Sequence, residues 1–178
     1  MKIFEEPAPD QGPSLALHGG AGGRVEELTV SGRAPYAEGL QAAFAAGWQV
    51  LAAGGSALDA VCASVEVLEN DPLFNAGRGA ALTATGRAEH DASVMTGAGG
   101  AGAVAASKHA KNPVWLARAV MERTEHALIV DPDVAFLADH GLEVVERDYF
   151  ICEQRQRQLE RVLNGRAAAA RQDRKSVV

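Results

Sequence analysis

The sequence contains only two cysteines in 178 residues, Cys62 and Cys152. They are too few for a disulfide framework and too far apart for a Cys-x-x-Cys zinc pair, so we expect two ordinary thiols. The five histidines show no His-Glu-x-x-His or other spacing typical of metal ligands. No Ser-His-Asp or Cys-His set can be assembled from the pattern either. If this protein is an enzyme, its nucleophile is not evident within the chain.

The sequence also lacks a long apolar run and an excess of positive charge. No stretch approaches membrane-spanning length, and the N-terminus Met1–Pro7 lacks the apolar region of a signal peptide. The net charge of −6 argues against a general nucleic-acid binder. We therefore expect a soluble, cytoplasmic protein with no nucleic-acid or membrane partner.

Aromatic residues make up only 5% of the chain, whereas alanine and glycine are abundant. Small side chains let helices and sheets approach closely, so the sequence predicts tight layers and not a core built on large rings. With a hydrophobic fraction of 47%, the chain can bury a substantial core and is most simply one domain or a large part of one.

The first third of the chain is predicted to form a strand and two helices. The apolar run Ser14–Leu17 fits a buried strand, and the weakly patterned segment Arg24–Pro35 fits a loop. From Tyr36 apolar residues recur at helical spacing until Gly54-Gly55, which is typical of a helix end. Ser56 is predicted to cap a second helix, with Asp59 as its capping-box partner.

That second helix should bury the face that carries Val61, Val65 and Leu68. Later elements follow from apolar runs between turn signals. They are a hairpin of Ala80–Thr83 with Glu89–Met95, a strand at Ala103–Ala106, a helix after Asn112-Pro113, a strand at His126–Val130, and a short helix from Asp131-Pro132 to Gly141. This order predicts helices layered on sheets without strict βαβ alternation.

The stretch Leu68–Gly79, which reads L-E-N-D-P-L-F-N-A-G-R-G, is predicted to be an ordered, sharply folded loop. Proline removes a backbone donor and glycine permits positive φ, so several carbonyls should lie outside regular ladders. A bound cation or the loop's own amides could satisfy them. Asn75 either bonds its own backbone, which the residue type alone favours, or positions a reacting carbonyl.

A second glycine-rich stretch, His18–Gly23, follows the predicted first strand. Its backbone amides could face an anion or a tetrahedral intermediate, and a purely structural turn is an equal alternative. The residues after Gly23 do not form the helix that a dinucleotide fingerprint requires. The Gly-x-Ser-x-Gly elbow of a lipase-type hydrolase is absent.

Five segments, in order and spacing, resemble the α subunit of plant-type asparaginases, also called isoaspartyl peptidases, which are N-terminal-nucleophile hydrolases. They are L-H-G-G-A-G, A-G-G-S-A-L-D-A-V, L-E-N-D-P-L-F-N-A-G-R-G-A, D-A-S-V-M and K-N-P-V-W-L-A-R-A-V-M-E. The resemblance implies the α-subunit half of an α/β fold, an αββα sandwich. Residues 1–150 would be the α-subunit portion of that single domain, and residues 151–178 a flexible linker before an autocleavage site.

By this resemblance, a precursor cleaves itself before a threonine that begins the β subunit and supplies the nucleophile. The threonine hydroxyl attacks the preceding carbonyl, an N→O shift gives an ester, and water hydrolyses it. The freed amine then acts as the base. The mature enzyme would open β-aspartyl peptides and L-asparagine without a catalytic cofactor. The expected partner is the β subunit from the same precursor, in an (αβ)2 assembly, and the substrate is a small molecule or dipeptide.

The resemblance also assigns site residues. Asn75 would lie near the nucleophile, and His18, Gly19 and Gly20 would shape the cleavage site. The Leu68–Gly79 loop would hold a structural sodium ion through backbone carbonyls, since oxygen ligands suit a hard cation. The carbonyls concerned are those of Leu68, Glu69, Asp71, Phe74, Ala76 and Arg78.

The chain departs from the family pattern at three places. Relatives usually carry glycine before the scissile bond, whereas this sequence ends Ser176-Val177-Val178, and Thr96 and His90 replace an aspartate and an apolar residue. Two alternatives therefore stay open. One is a non-catalytic truncated fragment or interaction module, and the other is a glycosylasparaginase-like amidase.

Overall fold

Two long helices form the first half of the described protein. The computed structural model describes residues 12–20 and 30–175. Helix α1 spans Val30–Ala52 and helix α2 spans Ala57–Asn70. Gly54, with φ +80°, ends α1 as the sequence predicts.

The start of α1 corrects the sequence prediction. The expected loop at Arg24–Pro35 is wrong for its last six residues, because the helix already begins at Val30 and includes Pro35. The rest of that predicted loop lies outside the described residues. Proline lies here in the second helical turn, where its missing N–H removes one backbone hydrogen bond without ending the helix.

Small residues bring α1 and α2 together. A Cβ added at Gly47 of α1 would lie 2.1 Å from Ser64 Oγ and 2.8 Å from the Ala60 carbonyl oxygen of α2. This confirms the expectation of close helix packing. The larger Phe44 and Trp48 instead stack on each other with ring centroids 5.8 Å apart and remain 39% and 41% exposed.

The beginning of α2 is as predicted, and its buried face is as predicted in part, since Val65 packs against the main core. Ser56 Oγ accepts a hydrogen bond from Asp59 N at 3.0 Å, and the Asp59 carboxylate accepts one from Ser56 N, which completes the capping box. Leu68 is buried, but Val61 is 38% exposed. The other buried residues of α2 are small or polar, namely Ala60, Cys62, Ser64 and Glu69.

Three strands form one small sheet in the order β1-β2-β3. They are β1 at His90–Met95, β2 at Ala101–Ser107 and β3 at Leu128–Val130. Strands β1 and β2 are antiparallel, with Val94 opposite Gly102, and β2 and β3 are parallel, with Ala103 opposite Leu128.

Helix α3, at Pro113–Arg123, covers this sheet. Pro113 occupies the first turn, as predicted, and Leu116 and Val120 are fully buried. Gly102 of β2 permits the contact, because a Cβ there would lie 2.4 Å from the Ala117 carbonyl oxygen. Helix and sheet are therefore in backbone-to-backbone contact at this point.

Two helices follow the sheet. Helix α4 spans Val134–Asp139, with Asp133 accepting a hydrogen bond from Phe136 N at its start, and helix α5 spans Glu153–Lys175. Gly141, with φ +69°, follows α4 as the sequence predicts. The predicted domain boundary at residue 150 remains a prediction.

Two predicted strand elements are wrong. Ser14–Leu17 forms no strand, because no neighbouring strand in the described part of the chain supplies the partners that a ladder requires. The predicted hairpin keeps its turn but shrinks to a single bridge between Leu82 and Ala88. Strand β1 pairs with β2 and not with the segment before the turn.

The result is a mixed α/β structure. The main core lies between α2, α3, α4 and the sheet, and includes Cys62, Val104, Leu116, Val120 and Leu137. Within the described ranges, no helix is both long and apolar enough to cross a membrane.

Candidate functional site

The Leu68–Gly79 loop starts where α2 ends. Asp71 follows the last helical residue and turns the chain: its Oδ1 accepts a hydrogen bond from Leu73 N at 2.9 Å, and its carbonyl accepts one from Phe74 N at 3.3 Å. Pro72, which lies between them, has no N–H to extend the helix. The loop is therefore ordered from its first residue.

Two glycines allow the loop to fold back on itself. A Cβ at Gly77, which has φ +47°, would lie 2.3 Å from the Glu69 carbonyl oxygen, and a Cβ at Gly79 would lie 2.0 Å from that of Phe74. Both distances are far below any normal contact, so only glycine fits. The glycines thus bring the later part of the loop against carbonyl oxygens of the earlier part.

Two of the six carbonyls assigned to sodium, those of Leu68 and Glu69, lack their usual helical donors. The Leu68 carbonyl has no helical donor because Pro72 lacks an N–H, and the Leu73 N–H, which would otherwise face the Glu69 carbonyl, donates to Asp71 Oδ1. The end of α2 also carries no basic side chain, so the negative end of its dipole is available to a cation.

The neighbouring carbonyls of the loop are used differently. Gly77 O faces His90 Nε2 at 3.0 Å, and the guanidinium of Arg155 donates to the carbonyls of Leu73 and Gly79. None of these three carbonyls belongs to the set assigned to sodium. These side-chain donors and the expected ion would therefore use separate oxygens. Within the loop, backbone amides bond two of the assigned oxygens, because Phe74 N donates to the Asp71 carbonyl and Gly79 N to that of Ala76. The contacts of His90 and Arg155 were not predicted from the sequence.

His90 is buried between the loop and the sheet. Its Nδ1 lies 3.0 Å from the Ser107 carbonyl oxygen, and its ring lies 4.3 Å from that of Phe150. The carboxylate of the neighbouring Asp91 accepts a hydrogen bond from Ala106 N. The sequence did contain an indication of the His90 contacts, because a histidine stands at position 90 where the family pattern has an apolar residue.

The Glu69 side chain has a second role that sequence reasoning missed. It is 3% exposed, and its Oε1 accepts a hydrogen bond from Val114 N at 3.0 Å, which caps α3 from a distance. Its Oε2 is buried and, within the described ranges, has no donor with hydrogen-bond geometry. Burial raises the pKa of Glu69 to about 7, although the Val114 N–H lowers it. Its position four residues after Val65, on the face predicted to be buried, was the available signal.

Asn75 lies at the exposed tip of the loop. Its Oδ1 accepts a hydrogen bond from Ala81 N at 2.7 Å. The loop-stabilising bond to its own backbone is therefore present. With the oxygen engaged, the amide NH2 is the group that Asn75 can offer to a ligand as a donor.

The second predicted site segment lies beside this loop. His18 Nδ1 accepts a hydrogen bond from Gly20 N at 3.1 Å, and Gly20 has φ +93°. A Cβ at Gly19 would lie 3.0 Å from Phe74 Cε1 and 3.2 Å from Leu40 Cδ2. The structure thus places Gly19 directly against a buried side chain of the Leu68–Gly79 loop. The rest of the glycine run, Ala21–Gly23, lies outside the described residues.

No acidic or histidine cluster competes for a metal. Among residues 12–20 and 30–175 there is no group of three or more His, Cys, Asp or Glu side chains that could hold a metal ion. Any cation in the Leu68–Gly79 loop would depend on backbone carbonyls.

A groove of about 510 Å³ lies elsewhere, between α2, α3 and the segment after α4. No predicted site residue lines it. Its central cation, Arg118, is bound to Asp59 at 2.6 Å and to Glu122 at 2.8 Å. We therefore assign the candidate site to the Leu68–Gly79 loop and not to this groove.

Comparison with known proteins decides the family. The sequence profile of a family described as asparaginase matches residues 11–177, nearly the whole chain. The chain belongs to the asparaginase family. Individual asparaginases are also similar to this chain. The isoaspartyl peptidase/L-asparaginases of Xenopus laevis and Rattus norvegicus are 41% and 42% identical over 143 and 149 residues, which cover 79% and 83% of this chain.

An archaeal member of the asparaginase family is also similar. The plant-type L-asparaginase of Pyrococcus abyssi is 48% identical over 118 residues, 66% of this chain. The aligned regions make up 45%, 44% and 37% of these three relatives. The chain therefore spans less than half the length of the relatives it matches.

Proposed function

We propose that this chain is the α-subunit part of an autoprocessed hydrolase that cleaves isoaspartyl peptides and L-asparagine. The observation that carries the proposal is the juxtaposition of Gly19 and Phe74, which brings the two family-type site segments together in a chain about 40% identical to isoaspartyl peptidase/L-asparaginases. In the described part of the chain, no serine, threonine or cysteine side chain hydrogen-bonds a histidine side chain. A nucleophile on a separate β subunit is consistent with that.

In the proposed reaction, the N-terminal threonine of the β subunit attacks the side-chain amide or β-aspartyl carbonyl. Its own α-amine takes the hydroxyl proton and then delivers it to the departing nitrogen. Ammonia or an amino acid leaves, and the aspartyl group remains as an ester on the threonine oxygen. Water then hydrolyses this ester, releases aspartate and restores the threonine.

The chain described here would supply donors and support. The Asn75 NH2, left available by the bond from Ala81 N to Oδ1, would position the threonine or the substrate carbonyl. The amides of the His18–Gly20 turn would shape the cleavage site. A sodium ion held by the Leu68–Gly79 loop would keep the carbonyls at the end of α2 in place and would take no part in bond breaking.

The proposed partner is the β subunit from the same precursor, in an (αβ)2 assembly of αββα domains located in the cytoplasm. Exposed apolar side chains at both edges of the sheet support a partner there. Met95 of β1 is 74% exposed, and Leu128 and Val130 of β3 are 52% and 64% exposed. Uncovered strand edges with apolar side chains favour association.

The test is expression of the full-length gene product, followed by intact-mass analysis, N-terminal sequencing and assays with a β-aspartyl dipeptide, L-asparagine and a glycosylated asparagine. We expect two polypeptides, the second beginning with threonine, and turnover of both substrates. One uncleaved species without turnover would refute the proposal and favour the truncated-fragment alternative. Turnover confined to glycosylated asparagine would favour the glycosylasparaginase-like alternative.

A further inference from the structure

Helix α5 leaves the rest of the molecule soon after it begins. Arg155 and Leu159 in its first two turns are half-buried, whereas Val162 and Leu163 are 46% and 40% exposed. Up to residue 165, where the description of its side chains ends, the helix contacts the protein body through its first two turns.

Arg155 makes the main polar contacts of that attachment. Its Nε donates to the Gly79 carbonyl and its Nη2 to the Leu73 carbonyl at 3.4 Å, while its Nη1 donates to Gln158 Oε1 of the same helix at 2.9 Å. One guanidinium thus joins both sides of the Leu68–Gly79 loop to α5. Its planar fork suits this geometry because its donors are fixed relative to one another.

The two carbonyls that Arg155 binds lie on opposite sides of the tightest part of the loop. Gly79 N donates to the Ala76 carbonyl at 2.9 Å and lies at the close approach to Phe74, so a displacement of Gly79 would disturb the tightest part of the loop. Leu73 lies on the opposite side of that close approach. A group that binds both carbonyls therefore fixes the width of the loop as well as the position of the helix.

We propose that Arg155 is a positioning residue that makes the Leu68–Gly79 loop and the first turn of α5 one cooperative unit. Loosening of the loop should loosen the helix, and loss of the arginine should loosen both. The link between loop and helix does not depend on the proposed function, whereas its response to sodium rests on the proposed cation site. The carbonyls bound by Arg155 are distinct from those assigned to the ion, so both can be engaged together.

The experiment is hydrogen–deuterium exchange, followed by mass spectrometry, on the full-length gene product. Arg155→Met is compared with Arg157→Met, a matched control on the same helix, where the Arg157 guanidinium pairs with Glu153 of α5 itself. We expect Arg155→Met to speed exchange about tenfold in both segments 72–81 and 153–160, because hydrogen bonds from a charged donor are lost at both ends. Arg157→Met should leave segment 72–81 unchanged.

Faster exchange in α5 alone, or no change in either segment for Arg155→Met, would overturn the proposal. A sodium titration at constant ionic strength, with tetramethylammonium as the replacement ion, forms the second part. In the unsubstituted protein sodium should slow exchange in both segments, and in Arg155→Met only in segment 72–81. If sodium slows neither segment in the unsubstituted protein, the cation site is refuted, while the comparison of the two variants still decides the role of Arg155.

Discussion

Replacing Glu69 by glutamine should change how the stability of the protein depends on pH. Glutamine keeps an oxygen that can accept the hydrogen bond from Val114 N, and it removes the only titratable group of this side chain. The shape of the side chain is nearly unchanged. A difference between the two proteins therefore reports the ionisation of Glu69.

The expected magnitude follows from the pKa. Burial raises the pKa of Glu69 from 4.5 to about 7 in the folded protein, so between these values the folded state binds more protons than the unfolded state. The free energy of unfolding should then fall as pH rises through this window. Relative to Glu69→Gln, the loss is about 2.5 kcal/mol between pH 5 and pH 8, from 1.36 kcal/mol per pKa unit.

The assay is urea unfolding of the unsubstituted and Glu69→Gln proteins at several pH values, in sodium-free tetramethylammonium buffer. The exposed Glu89→Gln is the control, because an exposed carboxyl keeps its solvation on folding. The same pH dependence in the unsubstituted and Glu69→Gln proteins would refute the reasoning. Added sodium should weaken the pH dependence, because a cation at the adjacent carbonyls favours the ionised carboxylate.

Three further substitutions test the helix cap and the loop. Ser56→Ala removes the oxygen that caps α2 and should lower the free energy of unfolding by about 1 kcal/mol, as measured by urea unfolding. In the full-length gene product, Asn75→Asp keeps the acceptor for Ala81 N but loses the NH2 donor. Asparaginase turnover should therefore fall sharply while the melting temperature stays within a few degrees. Unchanged turnover would remove the proposed role of Asn75. Gly79→Ala places a Cβ 2.0 Å from a loop carbonyl oxygen, so it should lower the free energy of unfolding by at least about 1–3 kcal/mol and abolish stabilisation by sodium in thermal unfolding. The control is Gly97→Ala, whose Cβ would have no atom within 4 Å and which should change neither quantity.

Much of the fold was predictable because its signals are local. The Ser56–Asp59 capping box, Pro113 at the start of α3 and Gly54 after α1 each act within one helical turn. The failures arose where a local signal was overridden by the rest of the structure. Pro35 indicated a loop but lies inside α1, and Ser14–Leu17 has the composition of a strand but no strand beside it among the described residues.

The candidate site was predictable only in outline. The family pattern pointed to the Leu68–Gly79 loop and to His18–Gly20, and the glycines at 77 and 79 are placed where side chains would collide with carbonyls. The same pattern gave no indication that Glu69 caps α3 or that Arg155 binds the loop. These contacts join residues 45 and 76 positions apart.

The sequence by itself determined where α1 ends and where α2 and α3 begin, the sharp turn of the Leu68–Gly79 loop and membership of the asparaginase family. These features depend on neighbouring residues and on motif order. Only the tertiary structure decided which side chains reach that loop. The burial of Glu69 and the contacts of His90 and Arg155 depend on how α2, α3, β1 and α5 pack against one another. Such packing follows from the sum of many weak contacts over the whole chain and has no signature in any one segment.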